Sequence, residues 1–429
     1  MLVIPLNEGL LTERAQCRRL VRADPRRHAS SALLADRSST INTLDVTHKV
    51  HHNQDLHQLN NPEQPTMSSQ DQFSGFMVDS AEGWNKFRKA SYTVKPFGPY
   101  DVDIKVSHCG VCGSDVHTIT SGWGAADYPV VPGHEIVGTA IRVGEKVKSI
   151  KVGDRVGAGA QIWSCMDCNR CKTDNENYCA KQVDTYNAKY DDGSKTYGGY
   201  ASHVRGHEQF IFPIPKELES EVVAPMLCGG LTVYSPLVRH GIVEGCKNKK
   251  VGIVGIGGLG HFGVMFASAL GAEVYAFSHS PSKEADAKKM GAAHFVDTSK
   301  DKWEEGIPEL DVILSTIDIS SHIPLQTLLS LLTVDGFYTN LGLPDQDLPQ
   351  FNAMDLMSNA AHIGGSHIGS KKECLEMLDL AVRKGVKTWV QRVKVSEEGC
   401  GEAVTRLKTN DNVRYRLVLT DFEEVFGKE

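Results

Sequence analysis

Nowhere does the sequence hold an uninterrupted apolar run of about 18 residues, the length a helix needs to cross a bilayer, so no segment is expected to span a membrane. A long basic tract is missing too. The net charge of -7 comes from 46 Lys and Arg mixed among 53 Asp and Glu, which argues against general attraction to nucleic acid phosphates and favours small-molecule partners. No stretch at the start shows the charged, apolar and small-residue order of a secretory leader, so the 11 cysteines are expected in a reducing compartment, as metal ligands rather than disulfides. Internal repeats and low-complexity tracts are absent as well. With 429 residues, 41% of them hydrophobic, the chain is long for one domain and comfortable for two.

Residues 1–66 read unlike the rest, with Arg14, Arg18, Arg19, Arg22, Arg26 and Arg27 followed by serines and a polar stretch holding His48, His51, His52 and His57. Disorder is expected there, as a dispensable extension before an internal start at Met67. A mitochondrial presequence is the alternative, but Glu8, Glu13, Asp24, Asp36 and Asp45 count against it. The expected location is therefore cytoplasmic.

From about residue 98 to 240, short β-rich runs such as Asp101–Val106, Ile136–Val143 and Phe210–Ile214 are divided by Gly, Pro and Asp. Near Lys249 the pattern changes to alternating strand and helix: Lys250–Val254, a Gly-rich turn, a helix through Leu270, and a strand at Glu273–Phe277. The alternation continues at Asp311–Ser315 and Gly336–Leu341. The expected class is α/β, with a β-rich domain from residues 67–229 and 367–429 and a doubly wound parallel-sheet domain from residues 230–366.

Cys165, Cys168, Cys171 and Cys179 are separated by two, two and seven residues. Such spacing turns successive thiolates onto one point and closes a tetrahedron, the pattern of a structural zinc; an iron–sulfur cluster is the competing reading. A second set is more scattered. Cys112 in G-V-C-G-S-D-V-H, His134 in G-H-E and Cys228 before two glycines offer two thiolates and an imidazole. Three ligands leave a tetrahedral zinc one open position, where an alcohol or carbonyl oxygen can bind and be polarised. Cys109, three residues before Cys112, competes as a ligand on spacing alone. Ser114 and His117 suit a relay that carries the alcohol proton to solvent, since an imidazole titrates near neutrality.

The turn Gly255-Ile-Gly257-Gly258-Leu259-Gly260 lies between a strand and a helix, the context in which backbone amides meet a pyrophosphate at a helix N-terminus. An NAD site usually ends its next strand with an acid for the ribose 2′-hydroxyl. Here the strand runs into Ser278, His279, Ser280, Pro281, Ser282 and Lys283 instead. Hydroxyls and a cation suit a 2′-phosphate, hence NADP(H). Ser280 also reads as an N-cap ahead of Pro281.

Together these residues resemble the zinc-containing medium-chain alcohol dehydrogenases, and among them the cinnamyl alcohol dehydrogenase group with its NADP-dependent fungal relatives, over about residues 70–425. The resemblance implies a GroES-like domain carrying two zinc ions and a Rossmann domain carrying NADP(H), acting on an alcohol–aldehyde pair. It selects Cys112 over Cys109 as the catalytic ligand with His134 and Cys228, and makes Glu135 an outer or transient ligand. It also implies cofactor contacts at Ser114, Thr232, Thr316, Gly342, Ser366, His367 and Ile368, and a homodimer. Two places depart from the plant lignin-pathway pattern: Asp184 and His367 stand where aromatic pocket walls are expected. The resemblance is therefore nearer to a broad-range fungal aldehyde reductase for aromatic and medium-chain substrates. An NAD-linked polyol dehydrogenase and a non-catalytic relative of the fold are the rival readings.

Overall fold

The computed structural model describes residues 72–427, so the expectations for residues 1–66 and for a start at Met67 lie outside the described residues. The β-rich part is a seven-stranded sheet. Its order runs Val390–Lys394, Arg416–Thr420, Asp101–Val111, Glu135–Val143, Arg155–Ala158 and Ile211–Pro213, with His203–His207 also paired to Asp101–Val111. All pairs are antiparallel except the first, so strands from far apart in the chain meet at Cys109–Val111. Along Asp101–Val111 the alternate residues Val102, Ile104 and Val106 are buried on one face, each contributing about 1.5–3 kcal/mol. Asp103 on the other face is buried against Arg205, whose Nε donates to it at 2.7 Å. A strand pair absent from the sequence reading, Gln72–Met77 with Arg88–Thr93, precedes this sheet.

The second sheet has six parallel strands ordered His294–Asp297, Glu273–Ser278, Lys250–Val254, Leu310–Ser315, Leu332–Asn340 and His362–Gly365. The order reverses between Lys250–Val254 and Leu310–Ser315, which opens a crevice beyond their carboxyl ends. Gly255 and Thr316 begin the two loops that leave it, and the Thr316 hydroxyl donates to Val254 O and Gly255 O at 3.0 and 2.8 Å. Helix Gly260–Leu270 starts directly from the turn and stops at Gly271, whose φ of 103° favours glycine. A Cβ at Gly260 would sit 1.8 Å from Gly255 O, so only glycine lets the turn close.

Helix Gly229–Arg239 packs on both Gly260–Leu270 and Lys371–Lys384. The last of these, placed with the β-rich part in the sequence reading, shares a hydrophobic core with the parallel sheet through Cys374, Met377, Leu378 and Ala381. Among the described residues no single helix is long and apolar enough to cross a membrane.

Candidate active site

The four lobe cysteines converge. Their Sγ atoms lie 3.9 Å apart for Cys165 and Cys171, 3.5 Å for Cys168 and Cys171, 3.8 Å for Cys168 and Cys179, and 3.5 Å for Cys165 and Cys179. A Zn–S bond of about 2.3 Å in a tetrahedron demands sulfur–sulfur edges of about 3.8 Å, so this donor set fits a single zinc ion. An iron–sulfur cluster in which each cysteine holds its own iron would spread the sulfurs farther. The Cys165 thiol is pulled down to about 6 by the peptide N–H groups of Asp167 and Cys168.

Cys112, His134, Glu135 and Cys228 form the second convergent group, with one donor atom of each inside 4.8 Å of all the others. The Sγ atoms of Cys112 and Cys228 are 4.0 Å apart, and His134 Nε2 is 3.2 Å from Cys228 Sγ. Two sulfurs and one imidazole nitrogen at these separations fit zinc with a position to spare. Three elements deliver them: the end of the strand Asp101–Val111, the start of Glu135–Val143, and the entry to helix Gly229–Arg239. Cys109 faces elsewhere; its thiol lies in the β-rich core, where burial pushes it well up.

Asp115 is the hub of this group, although the sequence reading gave it no role. Its buried carboxylate accepts from the peptide N–H groups of Cys112 at 2.9 Å and Gly133 at 3.1 Å, and stands 3.3 Å from His134 Nδ1. One carboxylate thus positions both the backbone of one donor and the ring of another. Tyr186 OH also lies 3.3 Å from His134 Nδ1. Glu135 is fully buried, with Oε1 paired to Arg416 and Oε2 without a partner; burial pushes its carboxyl up to about 7 against the pull of Arg416. Only the position of Asp115 inside G-V-C-G-S-D-V-H hinted at its role. Arg416, 281 residues from Glu135, left no local signal.

A cavity of about 280 Å³ opens beside these donors, lined by Ser114, Trp123, His134, Asp184, Cys228, His367 and Ile368 among others. Ser114 Oγ is 3.7 Å from Cys112 Sγ. Asp184 puts a carboxyl on the wall where an aromatic ring is expected in the plant pattern, so that wall is polar. His367 is tied to the cysteine lobe: its Nδ1 is 3.2 Å from Asn177 O, and Asn177 Nδ2 donates back to His367 O at 2.8 Å. Ser366 Oγ stands 3.5 Å from Tyr178 OH.

A larger cavity of about 510 Å³ occupies the crevice of the parallel sheet. Gly255, Gly257, Ser278, His279, Ser280, Lys283 and Thr316 line it, and its carboxylate is Asp318, which follows Leu310–Ser315 rather than Glu273–Ser278. Lys283 Nζ donates to Ile256 O at 2.6 Å, across the Gly-rich turn. Ser280 sits at an N-cap position, but its side chain makes no cap bond; its peptide N–H donates to Ser278 Oγ at 3.1 Å instead. The Thr232 hydroxyl is buried without a partner one turn beyond Cys228. Gly342 lies against the Ile317 carbonyl at the same crevice. His367 and Ile368 border the smaller cavity rather than this one.

A dinucleotide crevice, a closed thiolate set and an open one define an oxidoreductase that works with metal and nucleotide together. Residues 98–216 match the alcohol dehydrogenase GroES-like domain, and residues 258–383 match the zinc-binding dehydrogenase family. The NADP-dependent alcohol dehydrogenase 6 of Saccharomyces cerevisiae is 43% identical over 364 residues, covering 84% of this chain and 100% of that protein. A cinnamyl alcohol dehydrogenase structure from Sorghum bicolor matches with a TM-score of 0.76 and 35% identity, over 81% of this chain and 97% of that one. The structure of CAD from Helicobacter pylori complexed with NADP(H) matches with a TM-score of 0.74 and 34% identity, over 83% and 99%. The chain belongs to the zinc-containing medium-chain alcohol dehydrogenases, in the cinnamyl alcohol dehydrogenase group. Its reaction class is alcohol–aldehyde oxidoreduction.

Proposed function

We propose that this protein interconverts an alcohol and its aldehyde with NADP(H) at a zinc held by Cys112, His134 and Cys228, with a second zinc in the four-cysteine lobe. The convergence of those three donors in the wall of the 280 Å³ cavity carries the reading. When bound, zinc polarises the substrate oxygen as a Lewis acid, and the nicotinamide gives or takes hydride.

The chain's own groups do the rest. Asp115 holds the proton on His134 Nδ1 and so keeps the Nε2 lone pair for the metal. Ser114 takes the alcohol proton and passes it toward His117, its neighbour three residues along helix Gly113–Ile119. Glu135, held by Arg416, is the outer ligand. The peptide N–H groups of Gly257 to Gly260 face the pyrophosphate, while Ser278, Ser280 and Lys283, with His279 beside them, receive the 2′-phosphate. Thr232, Thr316, Gly342, Ser366, His367 and Ile368 supply the remaining cofactor contacts. The name of the yeast relative and the ligand of the Helicobacter structure both support NADP(H).

Asp184 and His367 make the substrate wall polar, which favours a broad range of aromatic and medium-chain aldehydes over strict cinnamyl selectivity. Nucleotide-binding residues 230–366 then form one domain, set into a catalytic domain drawn from the segments on either side. A homodimer fits this reading: among the described residues, strand His362–Gly365 ends the parallel sheet with one edge unpaired, and Met354 and Met357 nearby are 69% and 70% exposed. Steady-state reduction of an aldehyde panel with NADPH and NADH, alongside zinc analysis, tests the reading. Strong preference for NADPH and two zinc ions per chain are expected; equal use of NADH, or activity in zinc-free protein, overturns it.

A further inference from the structure

Helix Gly113–Ile119 belongs to the β-rich part, whereas Asp345 sits on the loop that leaves strand Leu332–Asn340 of the parallel sheet. The two meet beside the smaller cavity, whose wall includes Trp123 and Leu343. His117 Nδ1 lies 2.8 Å from Asp345 Oδ1, with the His117 side chain 21% exposed and that of Asp345 51%. Trp123 stacks flat on the His117 ring, centroids 4.5 Å apart and planes 5° apart, and its indole N–H donates to Leu343 O at 3.1 Å. Gly122 makes room: a Cβ there would lie 3.0 Å from Asp345 Oδ1 and 3.3 Å from His117 Nδ1. The ring is therefore clamped on one face and at one nitrogen by residues of both sheets.

We infer that Asp345 is a positioning residue for proton transfer, fixing the His117 tautomer from across the cleft; the inference rests on the relay role of His117 proposed above. A carboxylate at Nδ1 keeps the proton there and leaves the Nε2 lone pair as the acceptor. In alcohol oxidation the substrate proton reaches Ser114, the Ser114 proton arrives at Nε2, and the imidazolium gives it to water from Nε2, while the Nδ1 proton stays on its bond to Asp345. Among the described residues no other charged group stands within ion-pair distance of the ring. Helix Glu397–Thr409, which packs on Gly113–Ile119, has its charges engaged elsewhere: Glu402 with Arg406, Lys408 over Trp84, and Glu397 on the peptide N–H of Lys89.

The test is steady-state alcohol oxidation by the zinc-loaded full chain and its variants, with kcat and KM read separately. Asp345→Asn offers Nδ1 an amide that no longer fixes the proton there, so kcat should fall several-fold with KM little changed. Asp345→Glu, on an exposed loop with slack for one methylene, should restore kcat. His117→Asn should lower kcat further, and adding Asp345→Asn to it should change nothing more. An unchanged kcat in Asp345→Asn while His117→Asn lowers it overturns the role of Asp345 alone. If His117→Asn leaves kcat untouched, the relay reading falls and the role of Asp345 falls with it. An equal loss from Asp345→Asn in both backgrounds also overturns the inference, since it marks an effect that does not pass through His117.

Discussion

Arg416 pairs with Glu135 in the fully buried floor of the catalytic group, and its guanidinium also lies against the Gly-rich turn, where a Cβ at Gly258 would meet Nη1 at 2.7 Å. One side chain therefore touches both the buried acid beside Cys112, His134 and Cys228 and the backbone of the Gly-rich turn.

Replacing Arg416 by Met leaves Glu135 buried without its counter-ion. Removing one member of a buried pair costs about 3–5 kcal/mol, so the urea midpoint should fall clearly at pH 8. The loss should shrink toward pH 5, because burial already holds Glu135 up at about 7 and the protonated acid needs no counter-ion. A midpoint unchanged at pH 8 would show that the pair contributes nothing.

The two thiolate groups should separate cleanly under mutation. Cys112→Ala should lose one zinc per chain and nearly all activity while melting close to wild type. Cys168→Ala should lose the other zinc and lower Tm by roughly 5–10 °C, because a closed site couples metal binding to folding. Metal analysis with calorimetry reads both, and a stable but inactive Cys168→Ala would reverse the two assignments.

Ser278→Asp places a carboxylate at the end of strand Glu273–Ser278, in the 510 Å³ cavity. It should repel a 2′-phosphate and offer the ribose hydroxyls of NAD(H) an acceptor. Losing one or two charge-assisted bonds of about 1.5–3 kcal/mol each predicts a change of about tenfold to several hundredfold in the NADPH-to-NADH ratio of kcat/KM. A ratio left unchanged would put the phosphate elsewhere.

His261 gives stability a pH dependence. It is fully buried; its Nδ1–H donates to Gly258 O at 2.9 Å, and its Nε2 has no partner. Burial, with Arg416 nearby, holds it down to about 3 from an ordinary 6.5. The unfolded chain takes up this proton near pH 6.5 and the folded chain does not, so the stabilisation is complete above 6.5 and is lost as pH falls toward 3. The slope reaches about 1.4 kcal/mol per pH unit. Unfolding free energies of wild type should therefore fall more steeply than those of His261→Gln between pH 6.5 and 4, and parallel curves would refute this.

Local pattern made some features legible and hid others. Lys250–Val254 and the helix ending at Leu270 stand in the structure with the bounds their sequence suggests, because an apolar run, a Gly turn and a C-terminal Gly mark both ends. The cysteine spacing was equally local, and the sulfurs meet. The pair Gln72–Met77 and Arg88–Thr93 leaves little trace in the sequence because Arg88, Lys89 and Ser91 break the apolar alternation that announces a strand. Asp115, Arg416 and Asp345 act through partners brought close only by the fold, and no spacing rule reaches from residue 135 to 416 or from 117 to 345. The tie between His367 and Asn177 at the edge of the smaller cavity, 190 residues apart, is equally beyond any local pattern.

The two sheets differ in how soon they can exist. Every strand of the parallel sheet lies between Lys250 and Gly365, whereas the antiparallel sheet needs Asp101–Val111 and Arg416–Thr420 side by side. As the chain is made, all six strands of the nucleotide half are present while the other sheet still lacks Arg416–Thr420, and helix Lys371–Lys384 is still to be added to the core of the first. Long-range pairing of this kind is slow and leaves sheet edges open. Arg416 lies on that closing strand, so the buried counter-ion of Glu135 is among the last residues to be made.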